Sequence, residues 1–306
     1  MIIPIAFAFD ANLIMPAGVC LTSLLENALA DTYYDIFILH PANIDLSNTL
    51  LKEIPRKYKN CRLTFKPIDN VFTSAYEIRG ITSCTYYRLI IPEIIKEYDK
   101  ILYSDVDVIF RDDLTCFYQI DIENYYYAGV DNCSFIRPDV QMYLKKELGL
   151  DYKKGYFYAG NLIINSKLIR ETGITNKLLI MSNNKYKQQD MDIINIVCNG
   201  KIKRIIPAFC LTNYIYTLIL NNKKELLSLF TSEELEYSLK KGIVHYNGDK
   251  PWHTWCQNYD IWWYYYRKSI FFSEEFCLDF YASKINEYND WGLWKRIKHL
   301  IRFFRK

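Results

Sequence analysis

Lys100-Ile101-Leu102-Tyr103-Ser104-Asp105-Val106-Asp107 is an apolar run that ends in two carboxylates. Lys100 to Tyr103 reads as a buried strand, with the acids placed where it leaves the sheet. Two residues of strand advance about 6.6 Å and return the side chain to the same face. Asp105 and Asp107 therefore point toward one site, onto a cation or its water shell. Acids this close repel one another unless a cation offsets them. The plainer alternative is a solvated strand end, since an isolated Asp-X-Asp is common.

Outward from this stretch the pattern is that of an open α/β sheet. Ile2 to Phe9 is a second apolar run ending in an acid, Asp10, and a helical period follows through Val19, Leu21, Leu24 and Leu25. Asp35–Leu39 and Arg62–Phe65 read as the next strands, separated by a polar helical stretch over 46–59. Residues 84–98 also read as helical. Further strands are expected at Tyr126–Val130, Asn161–Ile164 and Lys203–Ile206. Strand-helix alternation of this kind gives a sheet whose ligands gather beyond the carboxyl ends of the strands, where Asp10, Asp105 and Asp107 lie. After about residue 250 the texture changes to Trp- and Tyr-rich helical segments, so residues 253–306 are expected to form a helical appendage to a domain spanning 1–252.

With 306 residues, half of them hydrophobic and 24% charged, the chain is long enough for one α/β domain with a substantial core. Its nine cysteines show no CxxC pair or metal-ligand spacing and read as reduced thiols. No basic n-region opens the chain and no apolar run is long enough to span a bilayer, so the cytoplasm is the expected compartment. The net charge of +3 is local: residues 291–306 hold six Lys and Arg and no acid. A nucleic-acid binder would spread its basic surface over a domain, and that class is excluded. In the same tail Trp294, Ile297, Ile301 and Phe304 fall at helical spacing among the basic residues. Such a helix suits an anionic membrane surface, in competition with packing on its own domain.

A second chemical signal is His245-Tyr246-Asn247-Gly248-Asp249-Lys250-Pro251-Trp252, after an apolar strand at Gly242–Val244. The His can ligate a metal, the Gly allows close backbone approach, and the Lys can pair with phosphate.

Six stretches in order, Ile5–Asn12, Thr85–Leu89, Tyr98–Asp107, Ala159–Asn165, Gln189–Asn195 and His245–Trp252, resemble the family 8 glycosyltransferases, a retaining group. It includes bacterial lipopolysaccharide galactosyl- and glucosyltransferases. The resemblance implies a GT-A-type, Rossmann-like nucleotide-binding domain with a central mixed sheet. It also implies transfer of a hexose from a UDP-sugar to a saccharide or glycolipid acceptor of the cell envelope, lipopolysaccharide or capsule. Ala8, Asp10, Asn12 and Val106 match nucleotide-binding positions, and Gly248 and Lys250 the diphosphate pair. Asp105, Asp107 and His245 match ligands of Mn²⁺, with Mg²⁺ as a substitute. Arg88, Asp105, Tyr158, Ala159, Gly160, Asp190 and Met191 match the donor-sugar pocket, and Asp190 and Asp131 the carboxylates that stabilise the reacting sugar. Two positions depart from the relatives: Tyr158 stands where they often have Asn, and Met191 where they often have Gln. Donor identity therefore stays open. Some relatives end in a similar basic, aromatic tail, which would make the protein peripheral on the inner face of the cytoplasmic membrane.

Two rival classes remain. A haloacid-dehalogenase-type phosphatase also uses Asp-X-Asp after a strand, but wants a Thr two residues after the second acid, where this chain has Ile109. A non-catalytic nucleotide-sugar or glycan-binding relative is the other.

Overall fold

A computed structural model describes residues 1–69, 71–72, 74–78 and 80–304. The central sheet has seven strands: β1 (Ile2–Ala8), β2 (Tyr33–Pro41), β3 (Cys61–Ile68), β4 (Lys100–Ser104), β6 (Tyr127–Val130), β7 (Asn161–Asn165) and β8 (Ile202–Ile205). Their order is β3-β2-β1-β4-β7-β6-β8. β7 runs antiparallel to both β4 and β6, and the other neighbours are parallel. The sheet is mixed, as expected. β1 and β2 are apolar almost throughout because both of their faces are covered, the pattern of buried parallel strands.

A smaller sheet, β5 (Val108–Phe110), β10 (Ile243–His245) and β9 (Leu211–Thr212), sits beside it. Asp105-Val106-Asp107 is the link between β4 in one sheet and β5 in the other. Antiparallel pairing of β10 with β5 sets His245 opposite Val108, and Tyr246 N–H donates to the Asp107 carbonyl at 2.9 Å. Residues 137 and 139 positions apart thus meet at the edge between the sheets. Gly242 makes the turn into β10 with φ +78°, and a Cβ there would lie 2.0 Å from the Ala208 carbonyl oxygen.

Two stretches expected to be helical are shorter and tighter. Residues 46–59 form 3₁₀ turns and one α-turn, Ile54–Lys57, and 84–98 form a 3₁₀ segment, Ser83–Ile90, followed by Ile91–Ile94. Pro55 and Pro92 each open a short helical turn, since proline has no N–H to continue a preceding one.

The helix Tyr259–Lys268 buries Trp262 and Trp263 in a cluster with Val19, Ile109, Val244 and Tyr246. Trp263 Nε1–H donates to the Pro251 carbonyl at 3.1 Å. Gly18 in the helix Ile14–Glu26 leaves room for Phe271, whose ring a Cβ would meet at 2.1 Å. A boundary at residue 252 therefore runs through shared packing. Beyond it the helix Glu274–Asn289 buries Phe280 alone, and in Leu293–Phe304 the side chains of Leu293 and Trp294 are 71% and 82% exposed. Among the described residues no helix is long and apolar enough to cross a membrane. Arg305 and Lys306, and the side chains of residues 299 and 302–304, lie outside the described set.

Candidate active site

The carboxyl ends of β1 and β4 open into a cavity of about 770 Å³. The chain leaving β1 supplies Ala8, Asp10 and Asn12 to one wall. Asp10 caps the 3₁₀ turn that follows, accepting from Asn12 N–H at 2.9 Å, while its other oxygen accepts from Thr82 at 3.1 Å. This wall is pinned by local hydrogen bonds and can present backbone and amide groups to a flat ligand.

At the floor, in the link from β4 to β5, Val106 is buried in the core while Asp105 and Asp107 on either side of it both reach the cavity. One ligand atom from each of Asp105, Asp107 and His245 lies within 4.8 Å of the others. His245 Nε2 is 3.2 Å from Asp107 Oδ1 and 3.7 Å from Asp105 Oδ2. Gly160 keeps the space beside them open: a Cβ there would lie 2.3 Å from His245 Cε1 and 2.7 Å from Asp105 Oδ2. Two carboxylates and an imidazole round a space closed to a methyl group fit a divalent cation of Mn²⁺ type. An all-oxygen set would suit Mg²⁺ better.

Lys250 extends from the loop after β10 to Asp107 Oδ2 at 2.5 Å and to the Tyr246 carbonyl at 2.6 Å. Burial of Asp107 opposes its ionisation, but His245 and Lys250 outweigh it and hold the carboxyl well below its usual range. Gly248 and Asn247 complete this side of the cavity.

The opposite wall is organised by Arg88, which is 5% exposed. Its guanidinium donates to Asp105 Oδ1 (2.9 Å), lies 3.1 Å from Asp190 Oδ2, bonds the Ala159 carbonyl and stacks over the Tyr103 ring at 4.5 Å. Arg88 thus ties the floor to the carboxylate of Asp190. Thr85 donates to Asp190 Oδ1 at 2.6 Å. Burial pushes the Asp190 carboxyl up to about 6, with Arg88 pulling the other way. Gln189, at φ +47°, turns the chain into the helix Gln189–Val197 and sends its amide to the Tyr76 carbonyl at 2.8 Å.

Tyr158, Ala159, Gly160 and Met191 all line the cavity. Tyr158 is braced by Thr212, 3.4 Å from its hydroxyl, and Met191 packs between two core clusters. Asp131 is placed differently. It is 2% exposed and absent from the lining, with Oδ2 on Arg204 at 2.9 Å and Oδ1 accepting from Cys133 N–H at 2.9 Å. Pairing of β6 with β8 brings Arg204 to it, so Asp131 holds the wall from behind rather than facing the cavity. Residues with no sequence signal of their own also reach the site. Thr82 holds Asp10, and Tyr103 donates to Asp105 Oδ1 at 2.8 Å.

A model of glycosyl transferase family 8 matches residues 4–256. The chain belongs to that family. A putative glycosyltransferase of Haemophilus influenzae is 31% identical over 218 residues, covering 69% of this chain and 62% of that protein. The lipopolysaccharide 1,2-glucosyltransferase of Escherichia coli K12 is 24% identical over 266 residues, 82% of this chain and 73% of its own. Among solved structures, the galactosyltransferase LgtC in complex with donor and acceptor sugar analogs superposes with TM-score 0.72 at 24% identity, over 89% of this chain and 98% of that one. That likeness establishes the GT-A-type α/β fold here, a mixed sheet with C-terminal helices.

Proposed function

We propose that this family 8 member transfers a hexose from a UDP-sugar to a saccharide or glycolipid acceptor of the cell envelope, with retention at the anomeric carbon. The observation that carries this reading is the convergence of Asp105, Asp107 and His245 at the floor of one cavity, between the β1 wall and the Arg88–Asp190 wall. Ala8, Asp10, Asn12 and Val106 would hold the nucleotide. Mn²⁺ on the three ligands would offset the charge of the diphosphate as the anomeric bond breaks. Lys250, already at the cavity with its ammonium on Asp107, is within the loop that would follow the leaving phosphate and share that charge. Gly248 beside it leaves the backbone free to approach.

The sugar would lie against Tyr158, Ala159, Gly160 and Met191, with the Asp190 carboxylate stabilising positive charge at its anomeric carbon. Met191 offers no oxygen or nitrogen nucleophile, and Asp190 is held on both oxygens by Arg88 and Thr85. Both features favour front-face attack over a covalent intermediate. Asp131, turned to Arg204, supports the wall.

The test is a panel of UDP-sugars with Mn²⁺, read by mass spectrometry with and without acceptor saccharides. Slow UDP release without acceptor is expected, and its absence with every donor would favour a binding protein. Met191 and Tyr158 remove two amides from the sugar wall, so a donor with a methyl or acetamido group there, or UDP-glucose, should outrank UDP-galactose. Met191→Gln with Tyr158→Asn should change that ranking.

The exposed Leu293 and Trp294 beside Lys295 and Lys298 support docking of residues 291–306 on an anionic membrane, with the protein peripheral on the cytoplasmic face. Deleting 291–306 should abolish sedimentation with anionic liposomes, and salt should weaken it in the full chain. Equal sedimentation of both forms would place this helix on its own domain instead.

A further inference from the structure

Each of the three candidate metal ligands offers one atom to the others and has its remaining polar atom engaged elsewhere. Asp105 turns Oδ2 toward His245 Nε2, while its Oδ1 accepts from Tyr103 and Arg88. Asp107 turns Oδ1 toward the same nitrogen, while its Oδ2 accepts from Lys250. For His245 the remaining atom is Nδ1, and what meets it is the sulfur of Cys210 at 3.3 Å.

Cys210 is fully buried, between the 3₁₀ turn Pro207–Phe209 and β9. β9 runs parallel to β10, pairing Leu211 with Val244 and Thr212 with His245, so the backbone fixes the thiol beside the imidazole. The thiol meets Nδ1, whereas both carboxylates approach Nε2, and the cluster of ligand atoms holds Asp105, Asp107 and His245 without it.

We propose that Cys210 is a positioning residue of this site: its sulfur accepts the Nδ1–H of His245 and holds the ring in the tautomer that offers the Nε2 lone pair to a cation. The inference rests on the metal reading above. A neutral imidazole that gives Nε2 to a metal carries its proton on Nδ1, and that proton needs a partner when the ring is buried. His245 is 4% exposed, so water does not supply one. Without the sulfur, the buried N–H would be left unpaired whenever the metal was bound, and binding would weaken by that cost. Gly160 sets the ring's position from the other side, through the contact its missing Cβ would make at Cε1. Sulfur and glycine together leave the imidazole little freedom to turn.

The test is the affinity for Mn²⁺, read by electron paramagnetic resonance of the free ion, in the full chain with saturating UDP. Wild type is compared with Cys210→Ser and Cys210→Ala. The two variants lose similar volume and differ by one hydroxyl, which can accept the Nδ1–H. Cys210→Ala should bind Mn²⁺ about tenfold more weakly or worse, and Cys210→Ser within about threefold of wild type, the scale on which partners of metal-bound histidines act. UDP affinity in chelator should be the same in all three. Equal Mn²⁺ affinity in the Ser and Ala variants would overturn the role of the sulfur while leaving the metal site standing. If Cys210→Ala does not fold, a tenfold loss in Cys210→Ser overturns it and retention upholds it. A wild-type chain that binds no Mn²⁺ beside UDP overturns the metal reading as well, a separate result.

Discussion

The chain contains Asp-X-Asp twice, and the two copies do different things. Asp105-Val106-Asp107 is the link from the end of β4 to β5, and there both acids converge on His245 while Val106 enters the core. Asp190-Met191-Asp192 opens a helix, where residues two apart are about 200° apart around the axis. There the acids diverge. Asp190 faces the cavity between Arg88 and Thr85, while Asp192 is fully buried and accepts from the hydroxyls of Tyr143 and Tyr156 and from Gln188 N–H. The same three letters thus give two carboxylates that converge on one histidine at a strand end, and on a helix one carboxylate at the cavity with one buried in the packing.

The largest effect is expected in the strand pair. On the proposed metal site, Asp105→Asn or Asp107→Asn should each reduce transfer by about 10³-fold or more, because each would remove a ligand and part of the charge holding the cation. The far-UV spectrum should be unchanged, since the acids lie outside the core. Chelator should silence wild type equally, with Mn²⁺ restoring more activity than Mg²⁺. Full transfer in chelator would break the contrast at once, since the strand pair would then be ordinary surface acids.

A smaller loss, about 10²-fold in kcat/KM, is expected for Asp190→Asn, which keeps the hydrogen bond from Thr85 but removes the charge that the proposed function sets against the sugar. Its pH dependence sharpens the assignment. The folded carboxyl titrates at about 6, raised by burial from the ordinary 3.8, so the ionised form is lost as pH falls through 6. Wild-type kcat/KM should therefore drop on the acid side of about 6, and Asp190→Asn should be flat there. The stability consequence has the opposite sign. A carboxyl whose folded value is raised contributes stability at low pH that disappears as pH rises from about 4 to about 6. An unchanged acid limb in Asp190→Asn would remove it from the chemistry.

How much of this was legible in the sequence depended on range. The strand ends carrying Asp10, Asp105 and Asp107 were, because a short continuous apolar run and a terminal acid are local properties. His245 was legible only together with Gly248, Lys250 and Trp252, and its place beside Asp107 came from strand pairing across 138 residues of chain. Asp131 shows where local reading stops. Its partner, Arg204, is set by the β6–β8 register, and nothing near residue 131 announces that it turns away from the cavity. Tyr103 and Cys210 carried no signal because each acts through one atom placed by a neighbouring strand. The tail was legible as a helix from its apolar spacing, and Leu293–Phe304 is one.

The smallest effect on activity, and a clear one on stability, belongs to Asp192. Its two oxygens accept from two tyrosine hydroxyls and one backbone N–H, so the helix Gln189–Val197 is tied through it to the helix Pro138–Glu147 and to Tyr156. Burial raises the carboxyl above its ordinary value, and the tyrosines act against that shift. In Asp192→Asn one oxygen becomes an NH₂ that meets a hydroxyl already donating, and a buried donor is left mismatched. A cost of about 1–3 kcal/mol is expected in denaturant unfolding. Because Asp190 keeps its own anchors on Arg88 and Thr85, kcat/KM should fall less than tenfold and the acid limb near pH 6 should survive. Tyr143→Phe, which removes one donor and leaves the carboxylate two, should cost less, about 1 kcal/mol. If Asp192→Asn instead abolished transfer with no loss of stability, both carboxylates of the helical copy would be serving the reaction. The distinction between strand and helix would then be one of geometry without a difference in role.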